Sequence, residues 1–185
     1  NKPSIGIVNG LYASTLGIGG ITFIQAIKFP STKKYEINIT GSLGESMKES
    51  VQYSLNLVLN RLNDNLKDTK EPFGIHIHCP EATVKKDGPS AGIAISIAIF
   101  SLLSNLEINN KFAMTGEIDL LGNINSIGGL EPKLLGAKNA GVESVLIPYE
   151  NLDDLNIIKL NYEIEDENFK IILVKNFEEV INILF

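Results

Sequence analysis

Short apolar runs parted by turn residues fill the first forty positions, which is the pattern of strands. Ser4 to Tyr12 and Ile21 to Phe29 read as two strands, parted by the glycine-rich turn Gly17-Ile18-Gly19-Gly20. Tyr35, Ile37 and Ile39 share one face of a third strand, Tyr35 to Thr40. The period then changes. Ser42-Leu43-Gly44-Glu45 has the Ser-x-x-Glu spacing of a capping box, and Met47, Val51, Leu55, Val58 and Leu62 follow at helical spacing. The polar stretch Asn63 to Glu71 ends that helix. Phe73 to Cys79 returns to strand, and Pro80 to Lys86 is a loop.

From Ala91 to Ser104 two periods compete. Ile93, Ile95, Ile97 and Ile99 alternate as in a strand, but the length of the run and its alanines (Ala91, Ala94, Ala98) favour a helix buried on most sides. Phe112 to Leu120 and Ile124 to Ile127 predict a hairpin about Gly122-Asn123. A helix should follow Gly128-Gly129, with Pro132 in its first turn and Gly141 just past its end. Val145 to Ile147 and Ile171 to Val174 are further strands. Asn176 should cap a last helix that has Glu178 and Glu179 in its first turn. The acidic run Glu163 to Glu167 reads as a solvated loop. Strands and helices alternate irregularly, with hairpins among them, so the expected fold class is α+β, a mixed sheet with helices packed on it. No repeat or interdomain linker divides the chain, and residues 1–185 are expected to form a single domain.

Composition narrows the function classes. A chain of 185 residues with 44% hydrophobic and 21% charged side chains can bury a sizeable core. Its net charge of −6 argues against nucleic acid as the main partner, and Lys33-Lys34 and Lys85-Lys86 are only pairs. The single cysteine, Cys79, excludes an internal disulfide and fits a reducing compartment. The apolar run from Ala91 to Leu103 is shorter than the roughly 20 residues that span a bilayer, so no membrane role is expected. The first residue is Asn1 rather than Met, and the sequence is expected to be part of a longer polypeptide.

Candidate chemistry centres on Ser90. Gly88-Pro89-Ser90-Ala91-Gly92 matches G-x-S-x-G, but α/β-hydrolases place a histidine after the serine, and here both histidines precede it. A triad of Ser90 with His76 or His78 and Asp87 stays open, because geometry matters more than chain order. In Ile75-His76-Ile77-His78 the two imidazoles share one strand face, which also fits a metal site or simply a half-buried polar face. No Cys, Asp or Glu at convincing ligand spacing supports the metal site. The other route to an activated serine is a lysine. A lysine base must lose roughly two to three units from its reference pKa of about 10.4. Lys133, among Leu130, Leu134 and Leu135 in the first turn of a helix, is placed to lose them through burial and the positive dipole end. Ser90, just after Pro89, would open a helix whose free N–H groups can hold an oxyanion, and Gly88 and Gly92 allow close backbone approach.

These segments together resemble the proteolytic domain of the Lon family of ATP-dependent proteases, A type. Lys86-Asp87-Gly88-Pro89-Ser90-Ala91-Gly92 resembles the family's nucleophile motif, Met114-Thr115-Gly116-Glu117-Ile118 a strand motif, and Ile127-Gly128-Gly129-Leu130 with Lys133-Leu134-Leu135 the lysine motif. Gly41 to Glu45 and Val145 to Pro148 also fit, so the similarity spans nearly the whole chain. It implies a serine endopeptidase with Ser90 as nucleophile and Lys133 as general base. Thr115 would orient the amine, Asp87 would belong to a loop that opens or occludes the site, and Gly88 would be a further supporting residue. It implies a compact α+β fold shared with the second domain of a small-ribosomal-subunit protein. It also implies hexameric rings in which an AAA+ module, using ATP and magnesium, unfolds damaged or short-lived proteins in the cytoplasm or the mitochondrial matrix. No cofactor is expected in the chain itself, which has no G-x-x-x-x-G-K-[ST]. Val84-Lys85, Tyr12 to Gly20 and Glu131-Pro132 depart from the family pattern without touching the serine or the lysine. The alternative is a non-catalytic assembly or binding domain of the same fold.

Overall fold

The computed structural model describes residues 2–41, 44–62, 71–80 and 88–185. Strands β1 (Ile7–Ala13) and β2 (Gly19–Pro30) pair antiparallel as a hairpin, with Ala13 opposite Gly19. β1 starts at Ile7 rather than Ser4, because the Gly6 amide turns aside to donate to Ser101 Oγ at 2.9 Å. β3 (Ile37–Thr40) is also shorter than its alternation predicts. Tyr35 has φ +57 and leaves the strand, its amide donating to the Phe73 carbonyl and its ring standing edge-on to Phe73.

The remaining strands are β4 (Phe73–His78), β5 (Phe112–Met114), β6 (Glu117–Ile118), β7 (Ile124–Asn125), β8 (Ser144–Pro148) and β9 (Lys170–Val174). Seven of them form one sheet in the order β3-β4-β2-β1-β5-β8-β9. It is mixed: β2 runs antiparallel to β1 and β4, while β3–β4, β1–β5, β5–β8 and β8–β9 are parallel pairs. The α+β class expected from the sequence holds.

Helix α1 (Glu45–Arg61) buries Met47, Val51, Leu55 and Val58, the stripe its spacing predicts, with Leu62 just beyond. Its N-cap is Gly44; Ser42 of the expected capping box lies outside the described residues, as do most of the polar stretch after Leu62 and the loop from 81 to 87. A 3-10 turn (Pro89–Ala91) leads into α2 (Gly92–Ser104), in which every residue from Gly92 to Ile99 is buried. The helical reading of the ambiguous isoleucine run is therefore correct. α2 lies between the sheet and α1, so its four isoleucines are enclosed whichever way they point. Each contributes about 1.5–3 kcal/mol by burial.

On the opposite face lie α3 (Leu130–Asn139) and α4 (Leu152–Asn161), packed over Leu11, Ala113, Val145 and Ile147. α3 ends with Gly141 at φ +83, as expected of a residue just past a helix. α5 (Phe177–Leu184) returns to the first face and is capped by Asn176, whose Oδ1 accepts from the Glu179 amide at 2.9 Å.

Three expectations are corrected. The strand predicted from Phe112 to Leu120 is broken at Thr115-Gly116, where the chain leaves the main sheet, and only β6 and β7 form the hairpin about Gly122. α4 was not expected from the sequence. Its buried Leu155 and Ile158 are accompanied by exposed Ile157 and Leu160, and these blur the helical period. The acidic run is tethered rather than simply solvated: Asp166 pairs with Lys138 at 3.0 Å, Glu165 with Lys159 at 3.1 Å, and Ile164 is buried. Among the described residues no helix is long and apolar enough to cross a membrane.

Candidate active site

A cavity of about 470 Å³ opens where β1 ends and α2 and α3 begin. Ser90, Gly88, Lys133, Glu117 and Tyr12 are among the side chains and backbone that line it. The structure thus brings Ser90 and Lys133 to one cavity from opposite faces of the sheet.

Ser90 occupies the 3-10 turn ahead of α2 and is half-buried. Gly88, just before it, has φ +123 and ψ 153, a region open to glycine and strained for any other residue. The Ser90 carbonyl accepts from the Gly116 amide at 2.9 Å, and the Gly116 carbonyl accepts from the Ile93 amide at 3.1 Å. This exchange is the physical reason that the strand breaks at Thr115-Gly116. Its backbone groups turn from the sheet to hold the serine turn.

Lys133 lies in the first part of α3, and its amide donates to the Gly129 carbonyl at 3.2 Å. The residue is only 4% exposed. Burial pushes its pKa down from the ordinary lysine value of 10.5 to about 8. Sequence reasoning named burial and the helix dipole together; burial is the cause found. Lys133 Nζ donates to the Oγ1 of Thr115 at 3.4 Å, and Thr115 is itself fully buried and anchored through its amide to the Leu146 carbonyl.

The seat of α3 is set by glycines. A side chain at Gly19 of β2 would collide with the Pro132 carbonyl, and one at Gly136 would collide with the backbone of Gly19. Helix and strand therefore touch backbone to backbone, and this fixes the height of Lys133 above the cavity. Asn151 secures the approach to α3. It is buried, accepts from the Ile127 amide at 3.0 Å and donates to the Ile127 carbonyl at 2.9 Å.

Other candidates fall elsewhere. His76 and His78 do not line the cavity; both hydrogen-bond Thr40 on the outer face of the sheet. Asp87 lies outside the described residues. Sequence reasoning missed the roles of Gly116 and Asn151, the place of Glu117 in the cavity wall, and also Thr22, a buried residue of that wall whose hydroxyl has no hydrogen-bond partner. Only Gly116 and Glu117 stood in a motif that could have drawn attention to them. Asn151 and Thr22 carry no sequence signal.

A serine and a buried lysine of lowered pKa thus line one cavity. The family described as the Lon protease (S16) C-terminal proteolytic domain matches residues 1–185, and the chain belongs to it. It is 46% identical over 176 residues to a Lon protease of Clostridium beijerinckii, covering 95% of this chain and 21% of that protein. A Lon protease of Methanosphaera stadtmanae is 40% identical over 182 residues (98% and 21%), and one of Rickettsia felis is 43% identical over 182 residues (97% and 23%). The chain spans about a fifth of the length of these curated relatives.

Proposed function

We propose that this chain is the peptide-cleaving domain of an ATP-dependent serine protease and that it works through a Ser90–Lys133 dyad. The observation that carries the reading is the shared cavity, in which the lysine is buried enough to be substantially neutral near pH 8. The neutral amine of Lys133 takes the proton from Ser90 Oγ as that oxygen attacks a peptide carbonyl. The resulting ammonium returns the proton to the leaving amine, and the acyl group remains as an ester on Ser90. The amine then activates a water that releases the acyl product by the reverse sequence of transfers. Thr115 keeps Nζ directed into the cavity throughout.

The motor belongs outside these residues. The motif resemblance to the Lon family, whose matched members are several times longer than this chain, supports an assembly in which an AAA+ module consumes ATP and magnesium and delivers unfolded protein to a ring of these domains. Such a protease works in the cytoplasm or an organelle matrix. The test uses the assembled protease. Ser90→Ala and Lys133→Ala should each lower peptide cleavage by at least about 10⁴-fold. Lys133→Arg should fail equally, because a guanidinium stays protonated. His76→Gln and His78→Gln should cleave normally. Full turnover by Lys133→Ala would remove the assigned base, and loss confined to the histidine variants would replace the dyad with a triad.

A further inference from the structure

His76 and His78 alternate with Ile75 and Ile77 on β4, so both imidazoles stand on the same face of the sheet. Thr40, at the end of β3, is paired with His78 in the parallel register. Its Oγ1 lies 2.7 Å from His76 Nε2 and 2.6 Å from His78 Nδ1. Two ring nitrogens therefore converge on one oxygen. A hydroxyl has a single hydrogen, so it can donate to only one of them, and the other ring must present its own N–H to the oxygen. The convergence is imposed by the backbone, since β4 is held in register by β3 on one side and β2 on the other. Thr40 is exposed and the two histidines half-buried, and Ile75 and Ile77, fully buried behind them, keep the strand from rotating.

We propose that His76, His78 and Thr40 form a surface binding site for a divalent transition-metal ion of the zinc, copper or nickel type. Imidazole nitrogens are the preferred ligands of these ions, whereas magnesium and calcium require carboxylates and other oxygens. Among the described residues no group of three His, Cys, Asp or Glu side chains surrounds this point. The protein supplies two nitrogens and the threonine hydroxyl, and water completes the coordination. Zinc–nitrogen bonds of about 2.0–2.1 Å need the two rings to swing slightly apart from the shared oxygen. The ring that donated its N–H to Thr40 moves that proton to its other nitrogen, so both rings then offer lone pairs to the ion. This tautomer change alters no net charge on the protein. The bound ion would clamp β3 to β4, away from the cavity that holds Ser90.

The experiment titrates the EDTA-stripped, full-length protein with ZnCl2 and, separately, with CuCl2, comparing wild type with His76→Gln, His78→Gln and Thr40→Val. Wild type should bind one more zinc ion per chain than either histidine variant, or bind that ion at least ten-fold more tightly. Magnesium should not compete. Electron paramagnetic resonance of the copper form should show two nitrogen ligands in wild type and one in each histidine variant. Thr40→Val should retain both nitrogens with a several-fold weaker affinity. Peptide cleavage by the histidine variants reports on folding and, separately, on the catalytic reading, so the two ideas fail independently. Identical zinc stoichiometry and affinity in wild type and both histidine variants would overturn the site. So would a copper spectrum unchanged by the substitutions.

Discussion

α2 and α3 reach the same cavity from opposite sides of the sheet and are built by opposite means. From Gly92 to Ile99 every position of α2 is buried, so the serine turn rests on a helix held from all sides. α3 buries one stripe only: Leu130, Lys133, Leu134 and Ala137. Those positions follow i, i+3, i+4 and i+7, the spacing of a core-facing face. One of the four is a lysine. The helix that bears the serine gives up nothing in packing, whereas the helix that bears the amine carries an ionisable group where an apolar side chain belongs. The cost of the site is concentrated on α3.

Replacing the anomalous residue should erase that contrast. Lys133→Met completes the apolar stripe, and cleavage should be abolished while the domain becomes more stable. Its folded-state pKa near 8 lies below the unfolded value of 10.5. The folded chain therefore sheds this proton first, and wild-type stability should rise between pH 8 and 10.5. The gain approaches about 3 kcal/mol at the upper end. At pH 7 the same amount weighs against the wild type. Chemical denaturation should thus find Lys133→Met about 2–3 kcal/mol more stable at pH 7, without the alkaline rise. A variant less stable than wild type at pH 7 would mean that the amine is well accommodated as an ammonium.

With Lys133 as the proposed base, the same pKa should set the activity profile. Only the neutral amine can act as base, so kcat/KM of the assembled protease should climb about ten-fold per pH unit up to a plateau beginning near 8. Between pH 6 and 8 the increase should be about fifty-fold. A flat profile across that range would place the base elsewhere.

The smallest effect belongs to the contact between the two halves. Thr115→Val should lower kcat by roughly ten-fold with KM little changed, since in the proposed mechanism the hydroxyl positions the amine without touching substrate. The Thr115 oxygen accepts from Nζ and so favours the ammonium. Its loss should move the acid limb of the profile to lower pH. Thr115→Ser should restore both rate and limb; a fall in rate without that shift would assign Thr115 to packing alone.

Much of this was legible in the sequence. The stripe of α1, the buried run of α2, the glycine after α3 and the cap of α5 follow from spacing and residue type, because local preference and tertiary burial agree there. The serine and lysine stood out for the same reason, each beside glycines and the start of a helix. Local reading failed where a distant partner decides the outcome. Phe112 to Leu120 looks like one strand until Ser90 and Ile93 claim the backbone of Gly116. α4 is hidden because Ile157 and Leu160 face outward. That Gly19 and Gly136 meet is a fact of packing that neither segment announces.

The Gly116 amide and carbonyl grip the serine turn, and the residue immediately before it is the threonine in contact with the amine. Ser90 and Lys133 are thereby yoked to one short length of main chain. Any force that pulls the serine turn outward must also drag the threonine off the lysine. The two halves then disengage in a single motion, and an idle site of this design would be disarmed as a unit.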